Sequence, residues 1–446
     1  METLLKKAGE KALALAARKN IAAEAFVLYD RELCIEVVNG QVENLKEAEE
    51  MGLGLRVFNQ GKMGFAYSSD LSDDAIKEVV NNAVAISAYT SADEFNLLPQ
   101  GKFVYPSIHT YDDKIAATGL EEKIEMAREL ERIARNFDRR ITVVERAGYE
   151  DSEFASVVIN SEGIYAFGKG NYSGIYISLV AEEDNDAQNG FAVMVKKNID
   201  ELVVADVGKE AAGRAVRSLK AKHIGSARIP CIMEPYVVTR FLGIISQLVN
   251  ADAVQKGKSM LAEKQGQIVA ASVFNLVDDA TYPGGIASFP FDGEGIAAQR
   301  NVVIENGILK SYLYDTYTAA KAGVKSTGNG QRDSFRSLPS VGTTNFMVNP
   351  GSIAPDKLIS QIEKGFYITD VMGMHTANPI SGDFSVGAAG IMIENGQLTF
   401  PVRGVTISGN LGAFLQDIEA VGNDLRFYGG TGAPTIRLKS LSIGGE

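Results

Sequence analysis

The sequence predicts an α+β protein: an N-terminal domain of helices layered on antiparallel sheet, built from two related halves, then a large, mostly-β C-terminal domain. Three observations carry this. An amphipathic helical stretch gives way to short β-rich runs separated by turn dipeptides. The same order of elements then returns in the following stretch of chain, and beyond residue 225 the composition shifts to Gly-rich strands and turns. A chain of 446 residues with 45% apolar side chains can bury more than one core. The expected division is 1–224, with halves at about 1–110 and 111–224, followed by 225–446.

Residues 3–18 carry Leu4, Leu5, Ala8, Ala12, Leu13, Leu15 and Ala16 among Lys and Glu, the spacing of an amphipathic helix. From Phe26 the period changes. Residues 26–29, 34–38, 52–58 and 63–67 read as strands, with Asn39-Gly40 and Gln60-Gly61 as turns. Residues 69–87 turn helical again, Ser72 standing as N-cap before Asp73 and Asp74 and the apolar set Ile76, Val79, Val80 and Val84. In the second copy, 121–137 reads as helix, 155–160, 163–167 and 172–181 as strands, Asn189-Gly190 as a turn, 191–195 as a strand and 207–222 as helix. Gly64-Phe65-Ala66 and Gly190-Phe191-Ala192 recur at matching places in the two copies. Residues 225–230 look like a boundary. Past it, helices are expected at 235–254, near 355–364 and at 412–421, and hairpins at Asn306-Gly307 and Asn395-Gly396.

Composition narrows the function. A net charge of −12 offers no electrostatic footprint for direct nucleic-acid binding, which needs Lys and Arg gathered on one face. The most basic stretch, Lys209, Arg214, Arg217, Lys220, Lys222 and Arg228, reads as one polar helix face and a linker. No apolar run suggests a signal peptide or membrane span. Cys34 and Cys231 lie far apart in apolar surroundings, which fits a reducing cytoplasm better than a disulfide framework.

The search for chemistry by spacing is mostly negative. His109, His223 and His375 have no partner at the spacing that sets two ligands on one helix face. Leu338-Pro339-Ser340-Val341-Gly342 lacks the first Gly of a nucleophile elbow. Gly293-Glu294-Gly295 matches a dinucleotide string but reads as a turn beside a hairpin, and Gly257-Lys258-Ser259 reads as a helix end. What remains is a set of polar loops holding Asn329, Arg332, Arg336, Asn345, His375, Asn378 and Asp383. Their donors and acceptors suit either the main chain of an extended peptide or one another.

Several short motifs in the second half occur in an informative order. They are Asn345-Phe346 with Pro350-Gly351, Gly382-Asp383-Phe384-Ser385, Ile393-Glu394-Asn395-Gly396, Thr406-Ile407-Ser408-Gly409-Asn410-Leu411, Val421-Gly422-Asn423-Asp424-Leu425 and Pro434-Thr435-Ile436-Arg437-Leu438. With Gly52-Leu53-Gly54-Leu55-Arg56-Val57 near the start, this order resembles the TldD/PmbA family, whose name as a modulator of DNA gyrase stands beside membership of a metallopeptidase system. The likeness covers nearly the whole chain. It implies one of two types: TldD-like chains with a zinc site, or TldE/PmbA-like chains that pair with them without one.

In the zinc-bearing type a His-Glu-x-x-x-His helix supplies two ligands and a Glu base, and a Cys in a late Gly-rich loop supplies a third ligand. Here the matching stretch looks like Met233-Glu234-Pro235-Tyr236-Val237-Val238, which keeps Glu234 alone, in a structural role at its helix N-terminus. The late loop, residues 425–435, has no Cys. The resemblance therefore implies a non-catalytic TldE/PmbA-like subunit of a hydrolase acting on unfolded or modified peptides. It would carry no cofactor, with zinc on a TldD-like partner, and would work as a heterodimer or, failing that, a homodimer. The rival expectations are a peptide-binding regulatory protein acting on a toxin or gyrase without protease function, and independent catalysis on a metal held by His375 with Asp383 or another carboxylate.

Overall fold

The computed structural model describes residues 1–445. The chain opens with α1 (Glu2–Ala17), β1 (Ala22–Val38), β2 (Gln41–Asn59), β3 (Lys62–Ser68) and α2 (Asp73–Ser87). After the short α3 (Asp113–Ala117) the order returns as α4 (Leu120–Phe137), β4 (Ile141–Asn160), β5 (Tyr165–Glu183), β6 (Asp186–Lys196) and α5 (Val204–Arg217). All these strands form one six-stranded antiparallel sheet in the order β3-β2-β1-β4-β5-β6. The two halves meet where β1 pairs with β4, so the expected repeat exists and shares a single sheet.

Local chemistry accounts for the elements. Ser72 caps α2, its hydroxyl accepting from the Ala75 N–H at 3.4 Å. The hairpin turns at Asn39-Gly40 (φ 52° and 72°) and Gln60-Gly61 (φ 53° and 77°) take the paired positive φ that suits the twist of the flanking strands. Several strands are longer than expected. β1 runs unbroken through Asp30-Arg31-Glu32, because Tyr29, Leu33, Ile35 and Val37 keep the buried alternation going while the polar residues share the strand with them.

The turn expected at Asn189-Gly190 lies elsewhere, at Asp184-Asn185 (φ 51° and 68°), and Gly190 sits inside β6. A Cβ on Gly190 would stand 2.1 Å from the Ala211 carbonyl oxygen of α5, and one on Gly64 would stand 1.9 Å from that of Ala83 in α2. The recurring Gly-Phe-Ala therefore marks the place where each half's last strand meets its last helix. The four long helices cover one sheet face. Leu53, Leu55 and Val57 pack with Leu5, Ala12 and Ile76, and Ile175, Ile177 and Leu179 pack with Leu130, Val207 and Ala211.

The second half continues with β7 (Ala227–Met233), α6 (Pro235–Leu248), α7 (Ala251–Gln255), β8 (Leu276–Asp279), β9 (Arg300–Glu305), β10 (Ile308–Leu309), α8 (Thr316–Ala322), β11 (Gly330–Gln331), β12 (Ser340–Val341) and β13 (Phe346–Val348). Then come α9 (Pro355–Ser360), β14 (Lys364–Met372), β15 (Asp383–Glu394), β16 (Gln397–Asn410), α10 (Leu411–Gln416), β17 (Ile418–Val421), β18 (Arg426–Tyr428), β19 (Thr431–Ala433) and β20 (Ile436–Gly444). One sheet runs β16-β15-β14-β7-β20-β17, and a further β16–β20 pairing curls it into a barrel. A second sheet runs β10-β9-β8-β13-β19-β18.

Helix α6 contacts strands of both sheets, and its Phe241 stacks on Phe414 at 4.7 Å between centroids. The single helix expected over 235–254 is two, because Asn250 caps a new start by accepting from the Asp252 and Ala253 N–H groups. The segment expected as helix over 412–421 becomes strand after Gln416. Both Asn-Gly hairpins are present, with φ of 50° and 76° at Asn306-Gly307 and of 51° and 73° at Asn395-Gly396. Among the described residues no helix is long and apolar enough to cross a membrane.

The face of the first sheet that the helices leave open receives the second half of the chain. A Cβ on Gly52 would lie 2.3 Å from the Phe335 ring, one on Gly54 2.2 Å from the Phe335 carbonyl oxygen, and one on Gly168 2.5 Å from the Phe289 ring. Bare glycine on those strands makes the close approach possible.

Candidate functional site

The stretch singled out by sequence straddles the end of β7 and the start of α6. Met233 is the last residue of β7, aligned between Ile368 and Ile436 of its neighbours, and Val238 lies in the first turns of α6. They are 0% and 2% exposed and belong to one apolar core. Neither side chain faces a cleft.

Glu234 occupies the N-cap position of α6, and its side chain makes no capping bond. Instead its carboxylate accepts from Arg217 Nη2 at 2.6 Å, and Arg214 Nη2 stands at 3.5 Å, both from α5 in the first half of the chain. Arg214 also reaches Glu210 at 2.9 Å, and Arg426 of β18 grips Glu210 with both terminal nitrogens at 2.9 and 2.5 Å. The Tyr236 and Tyr428 rings meet edge-on at 5.2 Å. The late Gly-rich loop and the β7–α6 junction, far apart in the chain, are thus neighbours in space. The basic stretch expected as one polar helix face and a linker spends two of its arginines here. Burial, with Glu234 beside it, pushes the Tyr367 hydroxyl well above its usual range. Cavities of about 590 and 530 Å³ flank the cluster, both lined by Arg214 and Arg217.

This donor set does not fit zinc. Zinc sites are built from imidazole, thiolate and carboxylate. At this junction the thioether of Met233 and the alkyl group of Val238 point into the core, while two guanidinium groups occupy the Glu234 carboxylate and would repel a dication. Among the described residues no group of three or more His, Cys, Asp or Glu side chains is placed to hold a metal ion. At His375, the suggested partner Asp383 is engaged by Asn410 Nδ2 at 2.9 Å.

The polar residues expected to read a peptide fall into two groups. Asn329 and Asn345 are fully buried. Asn329 Nδ2 donates to Asp278 at 2.7 Å and to the Gly342 carbonyl at 2.9 Å, and Asn345 Nδ2 donates to the Asp279 carbonyl at 2.7 Å and to Ser288 Oγ at 2.8 Å. Both amides are saturated within the fold, so neither is available to a peptide, and the expectation is corrected for them. Arg332 is buried against Glu24, while Arg336 is exposed and paired with Glu50. His375 and Asn378 sit on the exposed segment between β14 and β15, and the exposed Asp383 opens β15. The Asn378 side chain accepts from the Ile380 and Ser381 N–H groups.

Sequence reasoning missed a buried charge cluster where the two parts of the chain meet. Arg56 of β2 donates to both oxygens of Glu24 (2.7 and 2.9 Å) and to Glu294 (2.7 Å), whose other oxygen accepts the Thr316 N–H at 2.7 Å. Arg332 completes it, donating to Glu24, to the Gly293 carbonyl at 2.7 Å and to the Ser337 carbonyl at 3.0 Å. Burial and the nearby Glu294 push Asp292 up to about 8, against three backbone N–H groups that its oxygens accept. Burial, together with Arg56, brings Arg332 down to about 10 despite Glu24. The available signal was strand parity: in Gly52-Leu53-Gly54-Leu55-Arg56 the glycines and the arginine share one face.

Comparison with known proteins agrees along the whole chain. Models of the PmbA/TldA metallopeptidase match as domain 1 over residues 23–87, the central domain over 113–219 and the C-terminal domain over 226–445. The metalloprotease PmbA of Escherichia coli O157:H7 is 28% identical over 447 residues, covering 99% of this chain and 96% of that protein. A metalloprotease TldD homologue of Buchnera aphidicola is 27% identical, covering 89% and 87%. Among solved structures, a modulator of a DNA gyrase from Thermotoga maritima superposes with a TM-score of 0.92 at 27% identity, covering 98% of this chain and 100% of that one. TldE from Thermococcus kodakarensis, at 23% identity, shares the fold with a TM-score of 0.89 over the full length of both chains.

Proposed function

Since the chain belongs to the PmbA/TldD metallopeptidase family, we propose that it is the non-catalytic subunit of a heteromeric zinc metallopeptidase, in which a TldD-like partner holds the metal and cuts the peptide. The observation that carries this reading is the environment of Glu234. The two segments expected to bear zinc ligands in the TldD type do come together, but arginine, tyrosine and core aliphatic side chains stand there. Two guanidinium groups on one carboxylate make an internal clamp between α5 and α6 rather than a general base. The chain's own part is then to complete a chamber around an unfolded peptide, in the cytoplasm.

Mixing the purified chain with a TldD-like protein tests it. The pair should form a stable complex and hydrolyse unfolded peptides in a zinc-dependent way, and the chain alone should not. Hydrolysis by the chain alone in metal-free buffer overturns the proposal. A stable homodimer that ignores the TldD-like protein would favour a regulatory peptide-binding protein instead.

A further inference from the structure

Between the first sheet and the second half of the chain lies a cavity of about 360 Å³. Its walls are aromatic. Phe26 and Phe154, on the adjacent central strands β1 and β4, line it together with Phe289 and Phe291. Phe289 lies 5.4 Å from Phe154 and 4.9 Å from Phe291 between ring centroids. The rest of the lining carries the acidic side chains Asp30, Glu50 and Asp333 against one cation, Arg332, while Asp292, also in the lining, spends its oxygens on three backbone N–H groups and keeps its proton at neutral pH. That arginine is already held by Glu24, Gly293 and Ser337. Arg336, the partner of Glu50, lies outside the lining, with its guanidinium 4.4 Å from the Phe335 ring centroid. The half-buried Asp30 carboxylate has the Ser152 hydroxyl at 3.4 Å as its side-chain partner, and burial with nearby Glu32 and Glu50 raises its pKa.

We infer that this cavity binds an alkylammonium or guanidinium group on an apolar stem, the chemistry of a lysine or arginine side chain of a peptide or of a free polyamine. An apolar stem matches the phenyl walls, and a cation is attracted both by ring faces and by carboxylates withdrawn from water. An anion would be repelled. A neutral apolar ligand would bury Asp30 further without pairing it, which is costly. The volume lies near the lower end of small-ligand sites, enough for one side chain or a short polyamine. The inference stands on the cavity and does not depend on the subunit reading.

Calorimetric titration of the full chain with an acetylated Ala-Lys-Ala amide, its norleucine counterpart and spermidine tests it. The lysine peptide should saturate with a millimolar or tighter Kd, about tenfold tighter than the norleucine peptide. Asp333→Asn, on the exposed rim, and Asp30→Asn, checked for unchanged thermal unfolding, should each weaken it about three- to tenfold. Spermidine that competes with the lysine peptide supports the site for both sources. Spermidine that saturates while the peptide does not assigns it to the free polyamine. Equal affinity for the lysine and norleucine peptides, no change in either variant, or no saturation by any cation overturns the inference.

Discussion

Gly54 of β2 lies directly beneath the backbone of Phe335, close enough that a Cβ at position 54 would come within 2.2 Å of the Phe335 carbonyl oxygen. The contact joins a strand of the first sheet to a loop in the second half of the chain, and backbone cannot yield as a flexible side chain does. Gly54→Ala should therefore lower stability by at least ~1–3 kcal/mol in denaturant unfolding. Gly243→Ala is the control. Gly243 is exposed inside α6, a methyl group there would meet no atom within 4 Å, and its replacement should raise stability by ~0.5–1 kcal/mol. Equal effects at the two sites would contradict the close-docking account.

Arg56 holds two carboxylates that come from opposite sides of the junction, Glu24 and Glu294, and all three side chains are at most 5% exposed. Arg56→Met keeps much of the volume but takes from Glu294 the guanidinium bonded to it and leaves Glu24 with Arg332, so it should cost ~3–5 kcal/mol in urea unfolding. Adding Glu294→Gln to that variant should recover part of the loss, because the unpaired Glu294 charge is gone while Glu24 keeps Arg332. No recovery in the double variant would mean that shape, not charge, sets the cost.

Stability should fall as pH rises from about 6 to 8. Asp292 keeps its proton up to about 8 in the folded chain, against roughly 3.9 when unfolded, so over that interval the folded state binds more protons. Burial shifts Asp278 and Asp315 in the same direction. The slope is at most ~1.4 kcal/mol per pH unit for each proton. Above about 8 an opposing effect begins. The Lys197 ammonium, buried with the Ser288 carbonyl as its partner at 2.6 Å, is brought down to about 8. There the unfolded state binds the extra proton and stability rises with pH. Calorimetry should thus show Tm declining toward pH 8 and turning upward beyond it, whereas a Tm that climbs over the first interval would refute the buried-carboxylate account.

Restoring histidines at Met233 and Val238 should not restore zinc. Both positions face the apolar core, so Met233→His with Val238→His buries two imidazoles without partners and should destabilise the chain by several kcal/mol, of order ~3 or more. Metal analysis after dialysis should find no stoichiometric zinc, and one equivalent of tightly held zinc would disprove the assigned orientation.

Much of this fold was legible because its cause is local. The helix–strand–strand–strand–helix order, the Ser72 cap and the Asn-Gly turns follow from periodicity and backbone preference. The recurring Gly-Phe-Ala pointed to the repeat even though its physical meaning, Gly64 and Gly190 under the helix carbonyls of Ala83 and Ala211, concerns packing. The motif order also led to the family, and to Met233, Glu234 and Val238 as the positions to inspect. Asn329 and Asn345 show where such reading stops: an amide that binds a peptide and one that braces a loop have the same donors and acceptors, and burial alone separates them.

The sequence by itself determined the order of elements in the first half, the repeat, the family and the lack of histidine and cysteine at the expected ligand positions. Only the tertiary structure decided what replaced that chemistry. Arg214 and Arg217 come to Glu234 from another part of the chain, Arg426 comes from a third, and Glu24, Arg56, Glu294 and Arg332 meet across the junction. The physical reason is that charge pairing acts through space over a few ångströms. Residues far apart in the chain share a site only after the sheet, its helices and the barrel have packed.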